Sequence, residues 1–376
     1  MSGSSTLLPA LVVTHRLTTL RQALAERGLD GMLVTKAVNV RWLSGFTGSN
    51  GQLAVTADGF VLVTDGRYRQ QAADELSAAG CSASVEVTAT AVGAVLTAVF
   101  ATGTSVGFEA ADMSVTAHHR LEADLAGRRL VATESLIETL RQIKDEAEME
   151  RLRRASAIAD ASFQAVQPLL HQRPTERRLA AEVDHQMRLR GAEDVSFSTI
   201  VGSGPNSALP HARPTDRVIE PGDLVVIDFG AKIDGYGSDM TRTVVAGSEP
   251  TADQQRLYEA VLEAQQAGVA AVAAGVSERL IDTTCRDVLA RHDLGEAFVH
   301  GTGHGIGLEI HEQPILSGRS VGILRSGLVV TVEPGAYLPG FGGVRVEDSV
   351  IVTEQGCLPI TKSPKGLVPE FDRAPG

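Results

Sequence analysis

The chain has 376 residues, 43% hydrophobic and 21% charged, with a formal net charge of −12 and one tryptophan, Trp42. Such a composition supplies a sizeable core, suits two domains better than one, and argues against nucleic acid or an anionic membrane as the main partner. Three scattered cysteines, Cys81, Cys285 and Cys357, form neither a disulfide framework nor a zinc ribbon, and no apolar run reaches the roughly eighteen residues of a membrane span; a soluble protein of the reducing cytoplasm is expected.

Short helical and strand-like pieces alternate first. "THRLTTLRQALAERGL" reads as a helix closed by Gly28, "DGMLVT" as a buried strand, and "GQLAVTADGFVLVTDG" as a hairpin around Asp58-Gly59. Together they suggest a small α/β domain over residues 1–140, with a second domain over 141–376. Next, Asp145 and Glu148 have capping-box spacing, and Met149, Leu152, Ala155, Ala159, Phe163 and Val166 mark one apolar helix face. The basic run "RLRR" at 151–154 reads as the solvated side of that helix.

A second helix from Thr175 ends at Gly191, and strand material continues to about Val245. The order then recurs. One helix starts at Thr251, with Gln254 completing another capping box, and another starts near Ser277 with Leu280, Ile281, Val288 and Leu289; strands return to Val352. The helix starts are 251 − 145 = 106 residues apart without letter-by-letter identity. Either a structural repeat or ordinary α+β alternation produces that order.

Within the first strands, "GDLVVIDFGAKIDGYGSDMTRTVV" folds as a hairpin if Asp234-Gly235 is a two-residue turn. Residue i then faces residue 469 − i, so Asp228 faces Thr241 and Asp239 lies diagonally on the same side. An Asp pair of this kind is a solvated edge or a shared cation site. In "VVTVEPGAYLPGFGGVRVEDSVIV", Glu333 and Glu347 are symmetric about Gly340. The offsets 333 − 228 = 105 and 347 − 239 = 108 match the helix repeat, so two packed halves would converge four carboxylates on one pocket. Unpaired buried ions cost several kcal/mol each, so the cluster calls for cations. The stretch "VHGTGHGIGLEIHEQP" adds His300, His304 and His311 on what is either a polar loop or a glycine-softened strand. Four carboxylates with one imidazole, His304, suit hard or borderline divalent ions such as Mn²⁺, Co²⁺ or Zn²⁺.

These motifs, "HGTGHGIGLEIHE", "IDFGAKIDGYGSDMTRT", "TVEPGAY" and "VRVEDSV", resemble those of the Xaa-Pro peptidases, aminopeptidase P and prolidase, in the creatinase/methionine-aminopeptidase superfamily, peptidase family M24. The amino-terminal "NVRWLSGFTGSNG" and "TDGRYRQQA" resemble the creatinase-type domain. The resemblance implies an α+β chain: a small creatinase-type amino-terminal α/β domain followed by a pseudo-twofold pita-bread catalytic domain. It implies two divalent metal ions, Mn²⁺ first, with Asp228 on one, Asp239 and Glu347 bridging, and His304 and Glu333 on the other. It also implies a bridging water as nucleophile, Glu333 as general base, and His211 and His311 as catalytic and substrate-contacting groups. His300 and Arg345 would serve substrate binding, Arg345 by holding carboxylates in place; Tyr337 lies near the site without an assigned role. Peptides with proline in second position are the implied substrates and a homodimer the implied assembly, the loop around Trp42 to Asn50 reaching the neighbouring copy.

Other readings compete. A methionine aminopeptidase would not need the long amino-terminal domain, and metal-free creatinase would not need four converging acids. A peptide-binding pseudoenzyme would be favoured by loss of one ligand, and none is lost. "DFG" lacks the other kinase motifs, "GSGPNS" and "GTGHGIG" lack dinucleotide spacing, and "HEQPI" is not HExxH.

Overall fold

A computed structural model describes residues 8–369. The chain divides into two compact units, Met1–Arg141 and Gln142–Gly376.

The first unit is built on a mixed six-stranded sheet, in the order Ser84–Val87, Phe60–Thr64, Gly51–Thr56, Gly31–Val34, Ser105–Glu109 and Arg129–Thr133. Gly31–Val34 runs parallel to Ser105–Glu109 and antiparallel to Gly51–Thr56. It is buried throughout, as its unbroken apolar run requires of a central strand. The helix Thr14–Glu26 gives way to Gly28 at φ 64°, a left-handed conformation that glycine adopts without a Cβ penalty. Leu33, Ala54, Leu96, Phe100, Val106 and Phe108 form one core layer.

The second unit repeats one motif. Helices Glu146–Val166 and Glu176–Leu189 precede the strands Ile200–Ser203, Leu224–Phe229 and Met240–Val245. Helices Ala252–Ala271 and Glu278–Arg291 precede Gly303–Gly305, Val329–Val332 and Asp348–Thr353. The offsets run 252 − 146 = 106, 278 − 176 = 102, 329 − 224 = 105 and 348 − 240 = 108. Asp145 and Thr251 each close a capping box, satisfying amide donors that the first turn leaves open.

Both hairpins have the expected register. Thr241 pairs with Asp228 and Tyr236 with Ile233, around a turn in which Asp234 and Gly235 have φ 46° and 79°. The later ribbon follows the sum 680: Val332 pairs with Asp348, and Gly335 with Arg345. Val261, Ala264, Ile281, Leu289, Val330 and Val350 belong to the core packed beneath these strands.

Two expectations about helix faces fail. Arg151 is buried, its Nε donating to Asp234 Oδ2 at 2.7 Å, because the hairpin turn folds back over this side of the helix. Leu280 is 50% exposed, so it does not share the buried face of Ile281, Val288 and Leu289.

Candidate metal centre

The stretch that left loop and strand open is both. Gly303–Gly305 is a buried strand between Val329–Val332 and Glu312–Leu316, and His311 lies on the loop that leads into the latter. The glycines are steric requirements: a Cβ at Gly303 would collide with the Thr331 carbonyl, and one at Gly305 with the Gln313 carbonyl. That close approach brings the His304 side chain against the acids of both ribbons.

Asp228, Asp239 and Glu347 each offer an oxygen within 4.8 Å of the others. His304 Nε2 lies 3.5 Å from Asp239 Oδ2 and 3.5 Å from Glu333 Oε1. All five residues line one cavity of about 440 Å³, together with His211, His300, His311 and Arg345. Thus every site residue singled out from the sequence faces the same space. Clefts of about 680 Å³ elsewhere in each unit gather no comparable set.

The groups behind the acids fix their directions. Arg345 Nη2 donates to Asp228 Oδ2 at 2.6 Å, Nε to Thr241 Oγ1 at 3.0 Å, and Nη1 to Tyr337 Oη at 2.8 Å and to the Pro210 carbonyl at 3.0 Å. Thr241 in turn donates to Glu347 Oε2 at 2.7 Å. Thr241 was not singled out from the sequence, although its place opposite Asp228 is in the 469 register. Tyr337 lies 2.9 Å from His300 Nε2, while His300 Nδ1 donates to the Gly301 carbonyl. The His300 Nε2 is therefore an acceptor and the phenol its donor.

Electrostatics define what the cluster favours. Burial, then the charges of Glu347, Asp228 and Glu333, push the Asp239 carboxyl well above its ordinary value. Burial, then Glu333 and Asp228, do the same to Glu347. Glu333 is pushed up to about 8, by burial first and by the Asp228 charge, against the opposing pull of Arg345. Burial holds His304 down at about 4, so its imidazole is neutral; Nδ1 donates to the Gly305 carbonyl, and Nε2 turns its lone pair on Asp239 and Glu333. Asp228 Oδ1 and Glu347 Oε1 are buried without a hydrogen-bond partner. Buried acceptors facing acceptors fit divalent cations, which satisfy all of them at once.

Farther out, Glu176 at the start of its helix is fully buried. Burial alone would raise its pKa, but hydrogen bonds from Thr215, Ser203 and Asn206 outweigh it and lower the value. Lys144 and Glu312 form a buried ion pair at 2.9 Å next to His311 in the chain. Neither carries a sequence signal, since each depends on partners brought from distant loops.

Comparison with known proteins finds two matching families and several similar chains. The family described as metallopeptidase family M24 matches residues 150–354, and the creatinase/prolidase N-terminal domain matches residues 16–143. An uncharacterized peptidase, YqhT of Bacillus subtilis, is 40% identical over 94% of this chain and 99% of its own. The structure of a Xaa-Pro dipeptidase from Bacillus anthracis superposes with a TM-score of 0.90 at 39% identity, over 95% of this chain and 99% of that one. An X-Pro aminopeptidase from Thermotoga maritima gives 0.85 at 33% identity, over 92% and 99%. Among the described residues, no helix is long and apolar enough to cross a membrane.

Proposed function

Because the chain belongs to metallopeptidase family M24, we propose that it hydrolyses the bond preceding proline, in Xaa-Pro dipeptides or at the amino terminus of longer peptides, with two divalent ions held by Asp228, Asp239, His304, Glu333 and Glu347. The observation that carries this is the set of orphaned carboxylate oxygens and one imidazole lone pair converging in a single cavity. The names of the Bacillus anthracis and Thermotoga maritima relatives support the proline preference.

Bound there, divalent ions supply Lewis-acid chemistry, acidifying water and drawing charge from a peptide carbonyl. The protein's own groups do the rest. Glu333 Oε1, at the cavity face beside His304, takes the proton of the attacking water. His211 and His311, on two loops that line the cavity, donate to the oxygen that gains charge and to the leaving nitrogen. The latter matters for proline, whose amide nitrogen has no hydrogen and leaves only once protonated. Arg345 neutralises part of the acid cluster and aligns Asp228. Phe197, Ile200, Pro210, Ile310 and Ile315 supply an apolar wall for the proline ring. In the same reading the protein is a cytoplasmic homodimer that takes Mn²⁺, a hard ion suited to an oxygen-rich donor set.

The test compares Ala-Pro with Ala-Pro-Ala as substrates in Mn²⁺, then repeats the assay after EDTA. Cleavage of at least one peptide, abolished by chelation and restored by added Mn²⁺, is expected. Activity indifferent to the chelator would overturn the proposal.

A further inference from the structure

We propose that Glu176, outside the cavity, is a positioning residue that clamps the loop presenting His211. The inference rests on the reading of His211 as a substrate-facing group.

Glu176 is the first residue of its helix, with Thr175 as the N-cap, and is fully buried. Its Oε1 accepts from Ser203 N and Ser203 Oγ, both at 2.8 Å, and from Asn206 Nδ2 at 3.0 Å. Its Oε2 accepts from Thr215 N at 3.0 Å and Thr215 Oγ1 at 2.6 Å. One carboxylate therefore ties the start of a segment, Ser203, to its end, Thr215. Between them the chain makes a short 3₁₀ turn, Gly204–Ala208, and then delivers Pro210 and His211 to the cavity. The backbone reinforces the closure: Glu176 N donates to the Arg217 carbonyl and Arg177 N to the Thr215 carbonyl. Far from the clamp, the loop is fastened by the Pro210 carbonyl, which accepts from Arg345. His211 is itself exposed, so its own packing does not hold it.

No other side chain substitutes well. The oxygens of Glu176 face only donors, two of them fixed backbone amides. Glutamine would aim an NH₂ at one of these amides, and aspartate is a methylene too short to reach both loop ends. Loss of the clamp leaves the acids and His304 in place but frees the His211 loop, and small misplacements of a substrate-facing group are costly.

Four proteins decide the matter: the parent chain, Glu176→Gln, His211→Ala and the double variant, assayed for kcat and KM on Ala-Pro and Ala-Pro-Ala in Mn²⁺. Glu176→Gln is expected to lower kcat/KM by about 10–100-fold, yet by less than about threefold in the His211→Ala background. Mn²⁺ binding by calorimetry should be unchanged. Should Glu176→Gln not fold, Thr215→Val takes its place, with a several-fold loss that Thr215→Ser restores. Amide exchange over residues 204–214 should rise in every clamp variant, whether or not the protein cleaves either peptide. Equal losses in both His211 backgrounds, or exchange that stays unchanged, would overturn the clamp. A parent chain inactive on both peptides but with responsive exchange would instead overturn the proline-peptidase reading alone.

Discussion

The two halves of the catalytic unit have the same elements but divide the labour unequally. Glu176 and Glu278 hold equivalent places, each opening the second helix of its half. Each helix start is bridged to a returning segment, Thr175 to Val218 and Ser277 to Ile323. Glu176 collects hydrogen bonds from three residues, whereas Glu278 accepts only from Gly322 N, at 3.2 Å, among the bonds resolved around it. The first loop carries His211 into the cavity. Its counterpart, between Gly303–Gly305 and Val329–Val332, carries Ile310, His311 and Ile315 to the cavity and Val321, 88% exposed, away from it. The second half adds His304 from the strand before that loop and His300 from the segment before the strand. A duplicated scaffold thus keeps its acids symmetric and fastens its two histidine loops by different means, a buried carboxylate beneath that of His211 and a buried ion pair beside His311.

The sharpest way to break the comparison is to remove one acid from each half. Asp239→Asn and Glu347→Gln should each lower kcat by about 10³-fold or more and reduce the Mn²⁺ bound per chain, measured by metal analysis after gel filtration. If one half's variant stayed active, the shared centre would be wrong.

The seam comes next. Arg242, from the first half, donates to Asp348 Oδ1 at 2.8 Å and to the carbonyls of Thr241, Glu347 and Ser363. Asp348, from the second, also accepts from Gln265, Thr361 and Lys365. Asp348→Ala leaves a buried guanidinium without its counter-charge and should cost about 3–5 kcal/mol in urea unfolding. A loss near zero would mean that the halves do not depend on this pair.

Arg345→Lys should lower kcat/KM by about 10–100-fold, because an ammonium cannot reach Asp228, Thr241, Tyr337 and the Pro210 carbonyl together. The urea midpoint should move much less than with Asp348→Ala.

The smallest effects are the most telling about asymmetry, because the two helix-start glutamates titrate in opposite senses. Glu176 has a lowered pKa, so the folded state binds its proton less readily than the unfolded chain. Its stabilisation is present above the ordinary glutamate range and lost as pH falls through the lowered value. Burial raises the Glu278 pKa, so its favourable contribution exists below the ordinary value and disappears as pH rises through the raised one. Thermal melts from pH 3 to 8 should show a shallower acid limb for Glu176→Gln. Glu278→Gln should gain about 1–2 °C near neutrality. Matching profiles for the two variants would remove the distinction.

Much of this was legible because it is periodic. Two hairpins with short turns fixed the sums 469 and 680, and those sums placed Asp228 opposite Thr241 and Glu333 near Glu347. Capping boxes at Asp145 and Thr251 located the helices. What escaped was contact between distant segments. Nothing near Arg151 announces Asp234, and nothing near Glu176 announces Thr215. Leu280 looked buried by spacing, but spacing does not say which flank of a helix is covered.

The glycines at 303 and 305 have a consequence for anyone redesigning this pocket. Neighbouring carbonyls occupy the volume that a methyl group would need, so this stretch of wall has no room to vary. Libraries aimed at new substrates should leave those codons untouched and randomise Phe197, Ile310 and Ile315, where side chains already meet the cavity. Selected variants would then accumulate changes on the apolar rim while the imidazole strand stayed invariant.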